Sequence, residues 1–362
     1  MLFGIEHEVA LIKDGVFVDH TNTSFSRLNS LLENLPQIKS DKLRIDRFKI
    51  MRKRWYVEGY ERFDDEGKLS AYLPKGIEIR TSPQPSIEKA VGQLSLNFRQ
   101  LSVMLHEHDF ATTWISYHPY LTEFVPEKPY SKFERKHFGS SPEDRTAYLA
   151  QLSYGPDLNI SLPNTSDEKL IDVGKKLTYY SPFLVPFSFS SPFFEGELWK
   201  GLSVRTFIRT GKRHAARVFL AKKANLIKDN ALTSLYRQES EKGRVEFKSF
   251  DSCQNSELYG SLLALIKGLV LDKKLPGRSL HPDTKMHQFV AVRGFSDKFV
   301  KDQAESIVKA AKFALKNDKD RSRLLYLEQI LDSGEIPGKQ LVASYRKTRS
   351  IIQTLNQFPS LI

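Results

Sequence analysis

The sequence predicts an α+β protein in which a curved, mainly antiparallel sheet packs against helices on one of its faces. Five short segments alternate between apolar and polar residues, which is the pattern of a strand with one buried face. Amphipathic helical segments, which can cover only an apolar face, lie between and after these strands. A chain of 362 residues with 40% hydrophobic residues can bury a large core around such a sheet.

The five alternating segments carry charged and amide side chains on one face each. In the first segment, Glu6 and Glu8 share a face, and His7 lies on the apolar face, so we interpret His7 as a core histidine. Solvated strands favour Thr and Lys, whereas these strands present acids, amides and arginines. The polar positions are Glu6 and Glu8, Glu78 and Arg80, Asp157 and Asn159, Arg205 and Arg209, and Glu246 and Lys248.

The spacing of apolar residues predicts the domains and helices in the rest of the chain. We expect a catalytic domain at residues 1–295 and a C-terminal helical appendage at 296–362. The segment 121–145 has weak periodicity, which indicates a surface excursion or a lid. Helices are predicted at residues 25–35, 86–105, 167–180 and 257–271, and within the appendage at 297–316, 321–332 and 339–356.

The acidic positions predict a metal site. Two carboxylates on one strand face repel each other and lose water, so they favour a nearby cation. The predicted ligands are Glu6, Glu8, Glu78 and Glu246. Carboxylate oxygens with little histidine or thiolate indicate magnesium or manganese rather than zinc.

Arginines beside such a metal site suggest phosphoryl chemistry, in which they neutralise charge on the transferring group. The sequence contains no Gly-x-x-x-x-Gly-Lys-Ser/Thr loop, no Gly-x-Gly-x-x-Gly and no Gly-x-Ser-x-Gly. A P-loop NTPase, a Rossmann dehydrogenase and a serine hydrolase of the nucleophile-elbow type are therefore disfavoured.

The charge balance leaves a second class of function open. The net charge is +12, with basic residues concentrated at 47–54 and 205–223, and such a surplus favours anionic partners. A non-catalytic, nucleic-acid-associated protein is the alternative to an enzyme. However, a nucleic-acid surface has no use for four facing glutamates, so we expect no nucleic-acid partner.

Cysteine usage and hydropathy predict the compartment. Cys253 is the single cysteine, which excludes an intramolecular disulfide and fits a reducing compartment. The apolar run at 179–194 is interrupted by three prolines, and Lys267 divides the run at 262–271. We therefore expect a soluble, cytoplasmic protein with no membrane partner.

Five short motifs follow one another along the chain. They are GIEHE at 4–8, LPKGIEIR at 73–80, DLN at 157–159, SSPFFEG at 190–196 leading to LSVR at 202–205, and VEFKSFD at 245–251. Each motif alone is weakly specific, but their common order is a strong signal, and it is the order found in the glutamate–cysteine ligase family. The chain resembles this family over roughly residues 2–278, and the resemblance is closest to the plant-type branch.

The resemblance implies a glutamine synthetase-like funnel and an ATP-dependent, Mg²⁺-dependent ligase. Such an enzyme phosphorylates a carboxylate of glutamate and then joins it to an amine, which in glutamate–cysteine ligases is that of cysteine. It implies that Glu6, Glu8, Glu78 and Glu246 bind metal. It also implies that Arg205 and Arg209 neutralise the substrate carboxylate or the phosphoryl group, and that Arg80 and Lys248 face the nucleotide phosphates.

Asp157 and Asn159 depart from the family pattern. The plant-type branch has glutamine-x-asparagine at this strand, and the bacterial carboxylate–amine ligase branch has histidine-x-histidine. We assign both residues to substrate binding, and their departure leaves the amine open between cysteine and another amino acid.

Overall fold

The computed structural model describes residues 1–36, 54–137, 146–227, 231–236, 239–253 and 255–357, and the backbone of 44–45 and 51–52. The strands are β1 (Leu2–Lys13), β2 (Val16–Phe17), β3 (Arg44–Ile45), β4 (Met51–Arg52), β5 (Trp55–Phe63), β6 (Leu69–Arg80), β7 (Phe110–Thr113), β8 (Pro156–Ser161), β9 (Phe193–Phe194), β10 (Glu197–Leu198), β11 (Ala216–Leu220), β12 (Thr233–Leu235) and β13 (Arg244–Phe247).

Nine of these strands form one curved sheet with the order β12-β11-β13-β8-β1-β6-β5, and β2 and β7 pair with the far half of β1. The pairings are antiparallel apart from the parallel pair β11–β12. The long strand β1 is central, since it hydrogen-bonds to β8 on one side and β6 on the other. The predicted α+β class with a mainly antiparallel sheet is confirmed.

The helices pack mainly on the apolar side of this sheet. Short 3₁₀ segments separate several of them. The helices are α1 (Phe25–Leu32), α2 (Ile87–His106), α3 (Lys132–His137), α4 (Ala147–Gln151), α5 (Asp167–Leu184), α6 (Val204–Ile208), α7 (Ser256–Leu271), α8 (Thr284–Arg293), α9 (Lys298–Ala314), α10 (Leu324–Ser333), α11 (Pro337–Thr348) and α12 (Ile351–Asn356).

Alternation along β1 explains where the core lies. Phe3, Ile5, Val9 and Leu11 are each at most 4% exposed and pack against α2 and α7 in the main hydrophobic cluster. The helices α9 and α10 pack on α7 and belong to the same cluster. The C-terminal helices therefore share the core of the sheet, and the predicted division of the chain at residue 295 stays a prediction.

The prediction of a strand at Leu202–Arg209 is wrong, because this segment forms the short helix α6. Ser203 caps the helix, and its hydroxyl accepts a hydrogen bond from the backbone N–H of Thr206 at 2.9 Å. The β-branched residues in the segment favour a strand, but capping and burial override that preference. Arg205 and Arg209 consequently project from a helix end instead of a strand.

Some other helices and strands differ from the sequence prediction where the sequence gives only weak local signals. The predicted helix at 339–356 is divided into α11 and α12 at Arg349, which has a left-handed φ of 54°. The short strands β11 and β12 and the helix α8 were not predicted, because segments of this length show little periodicity.

Two sequence predictions extend beyond the described residues. The segment 121–145 is described only to residue 137, where the buried carboxylate of Glu134 pairs with the Arg62 guanidinium at 2.7 Å. Residues 46–50 and 53 of the first basic run also lie outside the described residues.

Among the helices that the structure describes, none combines the length and apolar character of a membrane span. The cytoplasmic location stays a prediction.

The interpretation of His7 as a core histidine is confirmed. His7 is 1% exposed, and its ring stacks on Trp114 with centroids 4.7 Å apart. The backbone N–H of Cys253 donates to the Tyr259 hydroxyl, and this hydroxyl forms a hydrogen bond of 2.8 Å with Nδ1 of His7. Burial lowers the pKa of His7 from 6.5 to about 3, so the imidazole is neutral in the native protein.

We expect the stability of the protein to fall as the pH falls below 6.5, partly because of His7. Between its unfolded and native pKa values the unfolded chain binds the extra proton, so acid favours unfolding by up to about 1.4 kcal/mol per pH unit. Urea unfolding at two pH values measures this effect. Between about pH 7 and about pH 5, the free energy of unfolding of His7→Gln should fall by about 2 kcal/mol less than that of the wild type. Parallel losses in the two proteins would contradict this prediction.

Candidate active site

Three carboxylates from neighbouring strands meet on the polar face of the sheet. Glu8 of β1 lies directly opposite Glu78 of β6, and Glu58 of β5 lies opposite Gly76. A Cβ atom on Gly76 would come within 2.3 Å of the Val9 carbonyl oxygen, so only glycine permits this close strand packing. One oxygen from each of Glu8, Glu58 and Glu78 lies within 4.8 Å of the others. We call these three residues the carboxylate cluster.

Within the carboxylate cluster, Glu78 is only weakly compensated by positive charge. Its side chain is buried, and among the described residues Oε1 of Glu78 has no hydrogen-bond partner. The nearest ion-pair contact is to Nε of Arg80 at 3.7 Å. Burial, together with the charges of Glu58 and Glu6, raises the pKa of Glu78 well above its ordinary value. The donor set therefore fits a hard divalent cation such as Mg²⁺ or Mn²⁺.

Glu8 is held rigidly within the carboxylate cluster. Its Oε1 accepts a hydrogen bond from Nζ of Lys75 at 2.8 Å, and its Oε2 accepts one from the backbone N–H of Gly155 at 2.8 Å. The connection between α4 and β8 supplies the second donor. Both oxygens are thus fixed by groups that approach from outside the cluster, and this arrangement orients the carboxylate for a ligand.

A second group of charges lies beside the carboxylate cluster on the same sheet face, and we call it the ion-pair network. Glu6 pairs with Arg80 at 3.0 Å and with Arg244 at 3.4 Å. Nζ of Lys248 contacts the carboxylates of Asp157 and Glu246. Each of these acids contacts a base at 3.4 Å or less, whereas the contact of Glu78 to Arg80 is 3.7 Å, so the network needs an added cation less than Glu78 does.

The pKa directions in the ion-pair network follow from this balance. Burial alone would raise the pKa of Glu6, but Arg80 and Arg244 hold it below its ordinary value. The pKa of Glu246 is likewise held well below its ordinary value by Lys248 and Arg244, against the effect of burial. Burial raises the pKa of Asp157 to about 7, because Lys248 offsets only part of that effect.

The structure therefore brings two of the four sequence-predicted metal ligands, Glu8 and Glu78, together with Glu58. It places the other two, Glu6 and Glu246, in the neighbouring ion-pair network. Asn159 of β8 lies directly opposite Glu246 of β13. Its Oδ1 is buried with no hydrogen-bond partner in the described part of the chain.

Arg205 is locked in place between α6 and the end of β13. Its Nη1 donates to the Ser249 carbonyl at 2.9 Å and its Nη2 donates to the Lys248 carbonyl at 3.0 Å. The buried carboxylate of Asp251 lies 3.6 Å from Nη1. A Cβ atom at Gly155 would come within 2.4 Å of this guanidinium, which explains the glycine there. Arg205 thus ties α6 to the sheet.

Arg209 is also buried but is poorly compensated. Its Nη1 lies 3.5 Å from the Lys248 carbonyl, and its Nε has no hydrogen-bond partner among the residues that the structure describes. Burial and the charges of Arg205 and Arg213 lower its pKa well below the ordinary value, while Glu8 and Asp157 oppose that shift. A buried guanidinium of this kind is a ready site for an anion.

The sequence predicts no role for Lys75. For Glu58, the predicted strand at 54–58 leaves two alternatives equally open, namely a residue that joins the acidic cluster and an exposed sheet residue. A signal for Lys75 was present, because it shares the alternation phase of Ile77 and Ile79 on β6. A lysine in a predicted apolar phase must find buried partners. No comparable signal marks Gly155, since its role depends on a backbone N–H.

The sequence matches no protein-family model and no curated protein sequence. Solved structures with a similar fold include the following two. The first is a bifunctional glutathione synthetase from Pasteurella multocida, with a TM-score of 0.60, 11% identity and coverage of 99% of this chain and 51% of that one. The second is the ligase PafA, solved in complex with the prokaryotic ubiquitin-like protein Pup, with a TM-score of 0.52, 12% identity and coverage of 99% and 72%.

These comparisons show that the chain has a fold that both of these proteins use. The chain spans about half the length of the bifunctional glutathione synthetase. At sequence identities of 11% and 12%, these comparisons are evidence for a shared fold only. The resemblance to the glutamate–cysteine ligase family stays a prediction.

Proposed function

We propose that the protein is an ATP-dependent carboxylate–amine ligase. The observation that carries the proposal is that two undercompensated groups lie beside Glu8: the buried carboxylate of Glu78, which faces Glu8 across the strands, and the guanidinium of Arg209, which projects from α6 and whose pKa the charge of Glu8 influences. One group calls for a divalent cation and the other for an anion, as a metal–nucleotide complex and a carboxylate substrate would supply. The fold, shared with a glutathione synthetase and the ligase PafA, supports this class.

More specifically, we propose a glutamate–cysteine ligase that forms γ-glutamylcysteine, the first step of glutathione synthesis, through a γ-glutamyl phosphate. The order of the five sequence motifs supports this assignment. The amine stays open between cysteine and another amino acid, because Asp157 and Asn159 depart from the family pattern. We infer small-molecule substrates, because the polar groups that would bind them are buried and a large partner could not reach them.

In this proposal Glu8, Glu58 and Glu78 would hold Mg²⁺ or Mn²⁺, whereas Glu6 and Glu246, which the sequence also predicts as ligands, hold the bases of the ion-pair network. A divalent cation held there would supply positive charge against the nucleotide phosphates. Arg80 and Lys248 would exchange carboxylate partners for nucleotide phosphates.

The remaining polar groups would hold the carboxylate substrate. Arg209 binds its carboxylate or the transferring phosphoryl group, and Arg205 fixes the helix end from which Arg209 projects. Asp157 and the free Oδ1 of Asn159 accept hydrogen bonds from an ammonium group. Positioning and electrostatic stabilisation of this kind supply most of what a phosphoryl transfer needs.

The proposal is tested by ADP release from purified protein with ATP, Mg²⁺ and glutamate across a panel of amines. We expect ADP formation to depend on glutamate and to rise with cysteine or one other amino acid. No stimulation by any amine, together with no heat of ATP binding, would exclude the ligase function. A sample without Mg²⁺ serves as the control for metal dependence.

A further inference from the structure

The ammonium group of Lys75 occupies an oxygen cage beside the carboxylate cluster. Lys75 is 2% exposed. Its Nζ donates to Oε1 of Glu8 at 2.8 Å, to the Ala150 carbonyl at 2.8 Å and to the Ser153 carbonyl at 2.7 Å. The three donors of the ammonium are therefore matched by three oxygens, one of them charged.

The cage belongs to the backbone that shapes the site. The two carbonyls come from the end of α4 and the turn after it, and this turn continues to Gly155, whose N–H holds the other oxygen of Glu8. The Tyr154 hydroxyl donates to the Lys75 carbonyl at 2.9 Å, so the turn also fixes the backbone of β6. Loss of the ammonium would remove a donor from the Ser153 carbonyl and from Oε1 of Glu8, and it would leave the Ala150 carbonyl with the long bond from the Ser153 N–H at 3.3 Å.

Such a cage has the chemistry of a site for a monovalent cation. Backbone carbonyls and a carboxylate are hard oxygen ligands, and carbonyl oxygens replace the hydration shell of K⁺ in selective sites. An ammonium ion and K⁺ are similar in size and carry the same charge. The difference is that Lys75 delivers its charge on a tether, so the site is filled at every salt concentration.

We propose that Lys75 is a built-in substitute for a bound monovalent cation and acts as a positioning residue for Glu8. The inference rests on the proposed function, since it assumes that the carboxylate cluster binds a divalent cation. Lys75 fixes Oε1 of Glu8 through a charged hydrogen bond and lowers the repulsion among the carboxylates of the cluster. It thereby prepares Glu8 for the metal without occupying the metal position.

The test uses Lys75→Ala, which leaves space for an ion, and Lys75→Met, which fills that space. Mn²⁺ binding is measured by electron paramagnetic resonance of the free ion, in KCl and in choline chloride of equal concentration. Loss of an outer partner of a ligand typically weakens metal binding by about 10- to 100-fold. We expect this loss for K75A in choline chloride and recovery in KCl, whereas K75M stays weak in both salts.

The matched control is Lys176, a second buried lysine whose Nζ contacts the Leu269 carbonyl at 3.1 Å and Asp272, on α5 and away from the polar sheet face. Lys176→Ala should be less stable than the wild type but should bind Mn²⁺ equally well in both salts. The wild type should show no difference between the salts. A K176A variant with weakened Mn²⁺ binding would mean that any buried lysine gives the effect, which would overturn the proposal.

The proposal is also overturned if K75A binds Mn²⁺ as the wild type does in choline chloride, or if KCl fails to improve its binding. A K75A variant that folds in neither salt would also overturn the proposal, because a K⁺ ion that replaces the ammonium should restore the fold in KCl. If the wild type itself binds no Mn²⁺, the proposed metal site fails. The melting temperature of K75A in KCl against choline chloride, read on the same samples, then still decides the role of Lys75.

Discussion

Replacing Glu78 with glutamine is expected to lower Mg²⁺-dependent turnover on the order of a thousandfold, which is several kcal/mol of transition-state stabilisation. The amide keeps the shape of the side chain but removes a charged ligand from the carboxylate cluster. The fold should survive, because burial and neighbouring acids already raise the pKa of Glu78 and make its charge costly. The melting temperature of E78Q should therefore equal or exceed that of the wild type, while Mn²⁺ binding is lost.

The control for E78Q is Glu6→Gln on the same sheet face. Glu6 pairs with Arg80 at 3.0 Å and with Arg244 at 3.4 Å, so E6Q should lower the melting temperature. Its Mn²⁺ affinity should stay within a few fold of the wild-type value. An E6Q variant that loses Mn²⁺ as completely as E78Q would place Glu6 among the ligands, as the sequence predicted. Full turnover in E78Q would remove Glu78 from the site.

Replacing Arg209 with methionine is expected to abolish saturation by the carboxylate substrate and to lower kcat/KM by about 10²- to 10³-fold. Arg209 is buried, and within the described ranges of the chain its guanidinium has one long hydrogen bond, to the Lys248 carbonyl at 3.5 Å. Methionine of similar volume removes a desolvated charge, so the stability of the fold should be unchanged or higher. Steady-state kinetics in glutamate at saturating ATP, together with thermal unfolding, would measure both effects.

Arg205→Met is the matched comparison, because the two arginines lie one helical turn apart. Arg205 donates to two carbonyls and lies 3.6 Å from the buried Asp251 carboxylate. Its loss leaves that carboxylate uncompensated and should destabilise the protein by about 3–5 kcal/mol. Equal stabilities of R205M and R209M would contradict the separate roles that the structure gives them.

The sequence alone predicted the strands that build the site, because a buried face forces strict alternation along a strand. Glu6 and Glu8 on β1, Glu78 on β6 and Glu246 on β13 all lie on the polar face as expected. The same alternation failed at 202–209, where a five-residue helix is too short to show its own period. Capping by Ser203, a local hydrogen bond, decided the conformation there.

Which carboxylates meet could not be read from alternation. That depends on strand order and register, which place β1 between β6 and β8 and align Glu8 with Glu78. A shift of two residues along β1 would have put Glu6 opposite Glu78 with the same set of faces. Alternation therefore predicts which acidic residues share the polar face, but it contains no information on which of them meet in the carboxylate cluster and which lie in the ion-pair network.

The most direct test of the proposed chemistry follows oxygen from the substrate carboxylate. Glutamate labelled with ¹⁸O in its side-chain carboxylate is incubated with the protein, ATP, Mg²⁺ and the active amine, and the inorganic phosphate is analysed by mass spectrometry. If the carboxylate takes the γ-phosphoryl group before the amine attacks, one ¹⁸O atom appears in each phosphate released. Formation of ADP and amide product with unlabelled phosphate would contradict the proposal that a carboxylate is phosphorylated at this site.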